Sequence, residues 1–176
     1  GVSHALPQPS MILATQNPVE QHGVHPLPES QLDRFTAATS MGYPEAADEV
    51  AIVASQLRAD PLTSLPPLLD LHQLAGLQAA ARNVTATADL LGYAVRLVRA
   101  TRDRAGVRLG ASPRAALQMV RLGQAMALID QRPVVLPDDL KRVASAVLVH
   151  RLVVDGRGGQ PDEVVQAVLH ETSVTA

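Results

Sequence analysis

Cysteine is absent from this 176-residue chain, which excludes disulfides and thiolate metal sites and leaves the redox compartment unread. Tryptophan is absent and aromatics reach only 2%. A core must then be built from Leu, Val, Ala and Met, which suits packed helices better than a β-sandwich. No strong charge of one sign is present: 15 basic residues stand against 17 acidic ones, for a net charge of −2. That balance gives no basic field for non-specific nucleic-acid binding, so no nucleic-acid partner is expected. No uninterrupted apolar run approaches the ~20 residues of a membrane span. The first residues show no basic segment followed by an apolar stretch, so no signal peptide is read and a cytoplasmic location is expected. Lysine is nearly absent as well, because Lys141 is the one lysine in the chain.

What is present is apolar: 47% of residues are hydrophobic, enough to bury a core and to argue against general disorder. Met11-Ile12-Leu13-Ala14-Thr15 reads as a short, fully buried strand. Residues 16–33 read as a loop punctuated by Asn17-Pro18, Gly23, Pro26 and Pro28. Leu32 to Thr39 fits the end of a helix passing into a strand. Pro44, followed by Glu45, Asp48 and Glu49, predicts a helix running to about Leu57. Three prolines in residues 59–67 mark a linker and the clearest boundary in the chain. This divides the chain into 1–58 and 59–176.

Beyond it the pattern predicts helices over about 68–81 and 86–102, then from Pro113, from Pro137 and from Pro161 to about His170. In the second of these, Leu91, Ala94, Val95 and Val98 are read as one face. In the third, Ser112 is read as the N-cap, with a stripe of Ala115, Met119, Leu122, Met126 and Ile129. Leu140, Val143 and Val147 mark the fourth. Such helices with short connections imply a small bundle.

Three polar clusters stand out. Leu13-Ala14-Thr15-Gln16-Asn17-Pro18 is a strand ending in amides, where an α/β sheet places ligands; read alone, Asn17-Pro18 is a turn. Leu32-Asp33-Arg34-Phe35 sets a carboxylate beside an arginine, and adjacent residues on a helix do not face each other, so no Asp33–Arg34 pair is expected. In Gly110-Ala111-Ser112-Pro113-Arg114, a positive charge in the first turn opposes the helix dipole at roughly 0.3–1 kcal/mol. Read alone, Arg114 is a solvated arginine; beside exposed helix amides it is also a natural anion contact. His22 and His25 lack a cysteine or a carboxylate cluster, so no metal site is read there. Arg96, Arg99 and Arg102 recur on one helix face, which reads as solvated or as a docking surface.

In this order and spacing the three clusters resemble the MoxR branch of the AAA+ ATPases, across nearly the whole chain except residues 156–176. Glu20-Gln21, Gly42-Tyr43-Pro44 and Leu136-Pro137-Asp138-Asp139 match family habits too. The resemblance implies a mainly α fold: a helical AAA+ lid bundle at 59–176, preceded at 1–58 by the C-terminal part of an α/β P-loop NTPase core. It names Asn17 as the first sensor, orienting water at a terminal phosphate. Arg34 is then the arginine finger, reaching across a subunit boundary to the neighbour's nucleotide, and Arg114 the second sensor, contacting the γ-phosphate in cis or across the interface. It implies ATP and Mg²⁺ as cofactors, a homo-oligomeric ring that is commonly a hexamer, and chaperone-like maturation or assembly of partner proteins, often ones with a von Willebrand factor A domain.

The chain departs from the family in one respect. A phosphate-binding loop needs a glycine-rich turn ending in Lys-Ser or Lys-Thr. Lys141 follows Asp138-Asp139-Leu140 inside a helical pattern and cannot serve. Gly156-Arg157-Gly158-Gly159 lacks the lysine, and no apolar strand ending in Asp-Glu precedes residue 11. The expectation is therefore part of a longer ATPase, unable by itself to hold MgATP tightly or hydrolyse it. Its strand at 11–15 would lack parallel neighbours and leave its edges exposed. The competing class is a non-enzymatic helical interaction or DNA-binding module, against which the near-neutral charge argues.

Overall fold

The computed structural model describes residues 3–16, 27–57, 60–156 and 159–175, with side-chain detail at all of these but Pro61. Among the described residues seven α-helices run in chain order: α1 (Glu29–Leu32), α2 (Ala46–Gln56), α3 (Leu71–Asn83), α4 (Ala88–Ala100), α5 (Pro113–Ile129), α6 (Pro137–Leu148) and α7 (Pro161–Glu171). Two short antiparallel strands, β1 (Val107–Leu109) and β2 (Val153–Val154), join the α4–α5 connection to the segment after α6. The fold is mainly α, as the sequence implies.

Local chemistry sets the helix starts. Proline occupies the first turn of α5, α6 and α7, where its missing N–H costs no hydrogen bond. Asp70 begins α3 with a capping box: it accepts from the Gln73 amide at 2.7 Å, and Gln73 Oε1 accepts from the Asp70 amide at 2.9 Å. That cap moves the start from the expected 68 to 71. Thr87 Oγ1 accepts from the Leu90 amide at 3.3 Å and starts α4.

The core is one cluster between Val84 and Val168. Helix α4 contributes Leu90, Tyr93, Ala94, Leu97 and Val98. Leu91 and Val95, expected on the buried face, are instead about half exposed. The stripe is displaced by one residue because large Tyr93 and Leu97 fill the interior. Helix α5 buries Ala115, Met119, Val120, Gly123, Gln124 and Ala127, so Ile129 at the end of the expected stripe is exposed. Leu140, Val143 and Val147 of α6 are buried as read. Helices α5 and α6 come so close that a Cβ on Gly123 would stand 3.0 Å from Leu140 Cδ2 and Val135 Cγ1. Volume there is set by the absence of a side chain.

The residues before Val84 behave differently. Neither α2 nor α3 buries a residue. Met11–Thr15 forms no strand: it pairs with no described segment, and Leu13 is 83% exposed. A strand needs a neighbour for its backbone groups, and the described chain supplies none. Residues 36–45 likewise form no strand; one backbone bond, Ala38 N to Ala146 O at 2.8 Å, lays this segment on α6.

Candidate functional site

The site grows from the turn between α4 and α5. Thr101, fully buried, donates to Val98 O at 2.7 Å and accepts from the Ala111 amide at 3.0 Å. Arg102 Nε donates to Ala111 O at 2.8 Å. These bonds press residue 110 onto the end of α4, where a Cβ would stand 2.7 Å from Arg102 Cα, so only glycine fits. The start of α5, with Ser112 and Arg114, is thereby fixed to the bundle.

Ser112 stands at the N-cap but makes no capping bond to its own helix. Its Oγ donates instead to Asp33 Oδ1 at 2.8 Å. The same carboxylate accepts from Arg114 Nη1 at 3.1 Å through Oδ2 and from Arg151 Nε at 3.1 Å through Oδ1. A negative charge from residue 33 therefore sits at the N-terminus of α5, where the helix dipole favours it, and offsets the unfavourable placement of Arg114.

Arg151 is the buried member, with its side chain 1% exposed. Its guanidinium donates to the carbonyls of Asp33 at 3.1 Å and Thr36 at 3.4 Å, and also to those of Phe35 and Val147. Burial pulls the Arg151 guanidinium below its ordinary value, while the hydrogen bond and charge of Asp33 oppose that shift. The planar fork lets one side chain gather several acceptors at once. His150 Nε2 lies 3.2 Å from Phe35 O, and burial together with the Arg151 charge lowers its pKa.

Arg34 lies between these anchored carbonyls. It is exposed, and its side chain has no hydrogen bond or ion pair among the described residues. As expected, Asp33 does not pair with it. The structure thus gathers Ser112, Arg114 and Arg151 around the Asp33 carboxylate, with Arg34 the next residue along the chain. Asn17 lies outside the described residues, as do His22 and His25. Among the described residues no group of His, Asp or Glu could hold a metal ion.

The face is open. Two concavities, one lined by Ala100, Arg104 and Glu171 and the other by Tyr93, Val135 and Pro137, contain none of Asp33, Arg34 and Arg114. Arg96 and Arg102, read as part of a solvated or docking stripe, are used internally: Arg96 Nη2 donates to Val174 O at 2.8 Å, and Arg102 holds the turn. The pairing of Asp33 with Arg151 is not legible in the sequence, because a separation of 118 positions leaves no local signal.

Two family models match the chain: "ATPase family associated with various cellular activities (AAA)" over residues 1–37 and "AAA lid domain" over residues 99–172. The chain is 35% identical over 99% of its length to the protein YeaC of Bacillus subtilis, of which it covers 56%. It is 37% identical over 87% of its length to the chaperone MoxR1 of Mycobacterium tuberculosis, of which it covers 42%. A solved structure from Cytophaga hutchinsonii, assigned as an ATPase, superposes with a TM-score of 0.88 at 30% identity, covering 98% of this chain and 56% of that one. The chain spans about half the length of these relatives. No helix among the described residues is long and apolar enough to cross a membrane.

Proposed function

Because the chain belongs to the MoxR branch of the AAA+ ATPases, we propose that it supplies the arginine finger, the second sensor and the lid of a ring-forming ATPase with a chaperone role. The observation that carries this reading is an exposed Arg34, without a side-chain partner among the described residues, next in sequence to the Asp33 that holds a half-exposed Arg114. In this reading residues 1–58 belong to the α/β core and residues 59–176 to the lid. The ring is a homo-oligomer, commonly a hexamer, and the proteins it matures or assembles include ones with a von Willebrand factor A domain. We place it in the cytoplasm.

The described residues fit contact with a nucleotide better than capture of one. Two guanidiniums stand ready for phosphate oxygens, but no carboxylate cluster for Mg²⁺ is present among the described residues. ATP held by a phosphate-binding loop supplies the phosphoryl group when bound. Arg34 then places a permanent planar charge against the oxygens that gain charge in the transition state. Arg114 reports a γ-phosphate to α5 and so to the bundle. Asn17, by resemblance, orients the attacking water. This chain alone does not hydrolyse ATP.

The test is Arg34→Ala in the ring-forming protein that carries this chain. Arginine fingers supply about 10³–10⁵ in kcat. A fall of several hundredfold with the ring intact supports the assignment, whereas wild-type turnover refutes it. A helical nucleic-acid-binding module, the other class, predicts salt-dependent DNA affinity, and the net charge of −2 does not favour it.

A further inference from the structure

Asp33 is an unexpected neighbour for an arginine that meets phosphate, since a carboxylate repels an anion. Both of its oxygens are nevertheless engaged: Oδ1 by Ser112 Oγ at 2.8 Å and Arg151 Nε at 3.1 Å, Oδ2 by Arg114 Nη1 at 3.1 Å. The backbone around it is held as well. Arg151 binds the carbonyls of Asp33, Phe35 and Thr36, so the residues on both sides of Arg34 hang on one buried guanidinium. Glu29 of α1 adds a looser contact, 3.6 Å from Arg108 of β1. The mutual repulsion of Arg114 and Arg151 is offset by the one carboxylate they share. No apolar residue of α1 is buried, so polar contacts carry most of this attachment.

We propose that Asp33 and Arg151 are positioning residues that lock the Arg34 backbone to the Arg114 helix, so that the two arginines reach one polyphosphate as a single preformed unit. The proposal rests on the finger reading of Arg34. Neither Asp33 nor Arg151 touches the reacting atoms. Their effect is geometric: a reacting group displaced by about 1 Å loses on the order of a hundredfold in rate. The lid and the finger then move together, because any rotation of the bundle carries Arg151 and residues 33–36 with it.

The experiment measures ATP turnover in the ring-forming protein that carries this chain, for Asp33→Asn, Arg34→Ala and the double variant. Asp33→Asn is expected to lower kcat by about tenfold or more, with the KM for ATP little changed, and to cost clearly less in the Arg34→Ala background, where only the Arg114 contact is left to lose. An equal fractional loss in both backgrounds assigns Asp33 to the fold and overturns the proposal. Ser112→Ala removes one of the three carboxylate contacts and no capping bond. It keeps the test decisive if Asp33→Asn does not fold: a smaller kcat loss that vanishes without Arg34 supports positioning, and unchanged kcat contradicts it. If Arg34→Ala itself turns over normally, the finger reading fails separately. Positioning is then decided by a spin label on Arg34→Cys, which is the only cysteine in this chain. Asp33→Asn must release the label into fast motion, and an unchanged line shape overturns the proposal.

Discussion

Helix α4 and helix α2 carry similar branched apolar side chains and meet opposite fates. Leu90, Leu97 and Val98 of α4 are almost fully enclosed, while Val50, Ile52 and Val53 of α2 are each at least half exposed. An apolar face is buried only if another element offers it a partner surface. Between Val84 and Val168 the chain provides its own partners. Before Val84 it does not, and the apolar residues of 11–13 and of α2 stay uncovered. An exposed apolar patch marks an interaction face. In the reading given above, its occupant is the rest of the α/β core. Residues 33–36 in that region are fastened to the bundle by the Arg151 guanidinium rather than by apolar packing.

The largest effect that sharpens this contrast is in the bundle. Leu140→Ala removes a fully buried side chain beside Gly123 and is expected to cost about 2–5 kcal/mol of stability by chemical denaturation. A cost near zero would mean that the bundle is not the stable unit. The second is a pH effect at the fastening point. Burial lowers the His150 pKa, so the unfolded chain takes up a proton first as pH falls from about 6.5. Stability from this group is therefore full above pH ~6.5 and declines below it, down to the folded pKa. His150→Gln should flatten that part of the pH–stability curve, and an unaltered slope would remove His150 as its source. The smallest effect is on the open side. Ile52→Ala should change the stability of this chain by no more than ~0.5 kcal/mol, as for an exposed site. The same change in a longer protein that covers α2 should cost more, and equal small costs in both would leave the face without a partner.

Much of the bundle is legible from local chemistry. Prolines at 113, 137 and 161 start helices where read, because a first-turn proline is a signal carried by one residue. The face of α4 was misplaced because small and large apolar residues share two adjacent stripes, and only packing decides that Tyr93 and Leu97 point inward. The buried strand expected at 11–15 is absent: these residues are exposed, because no described segment pairs with them. The pairing of β1 with β2 joins residues about 45 apart and is too short for a periodic signal. At the site, Arg34 and Arg114 were visible as motif residues. Ser112 was assigned a local cap, yet the structure gives its hydroxyl to Asp33. Long-range polar partners of this kind leave no pattern in a single sequence, and Arg151 was invisible for the same reason.

The most direct test of the account is calorimetric titration of MgATP into this chain, beside the chain joined to an upstream phosphate-binding core. The account predicts heat of binding only in the longer polypeptide, where the arginines meet a nucleotide that other residues hold. Tight binding to the short chain, or binding to neither, would contradict it.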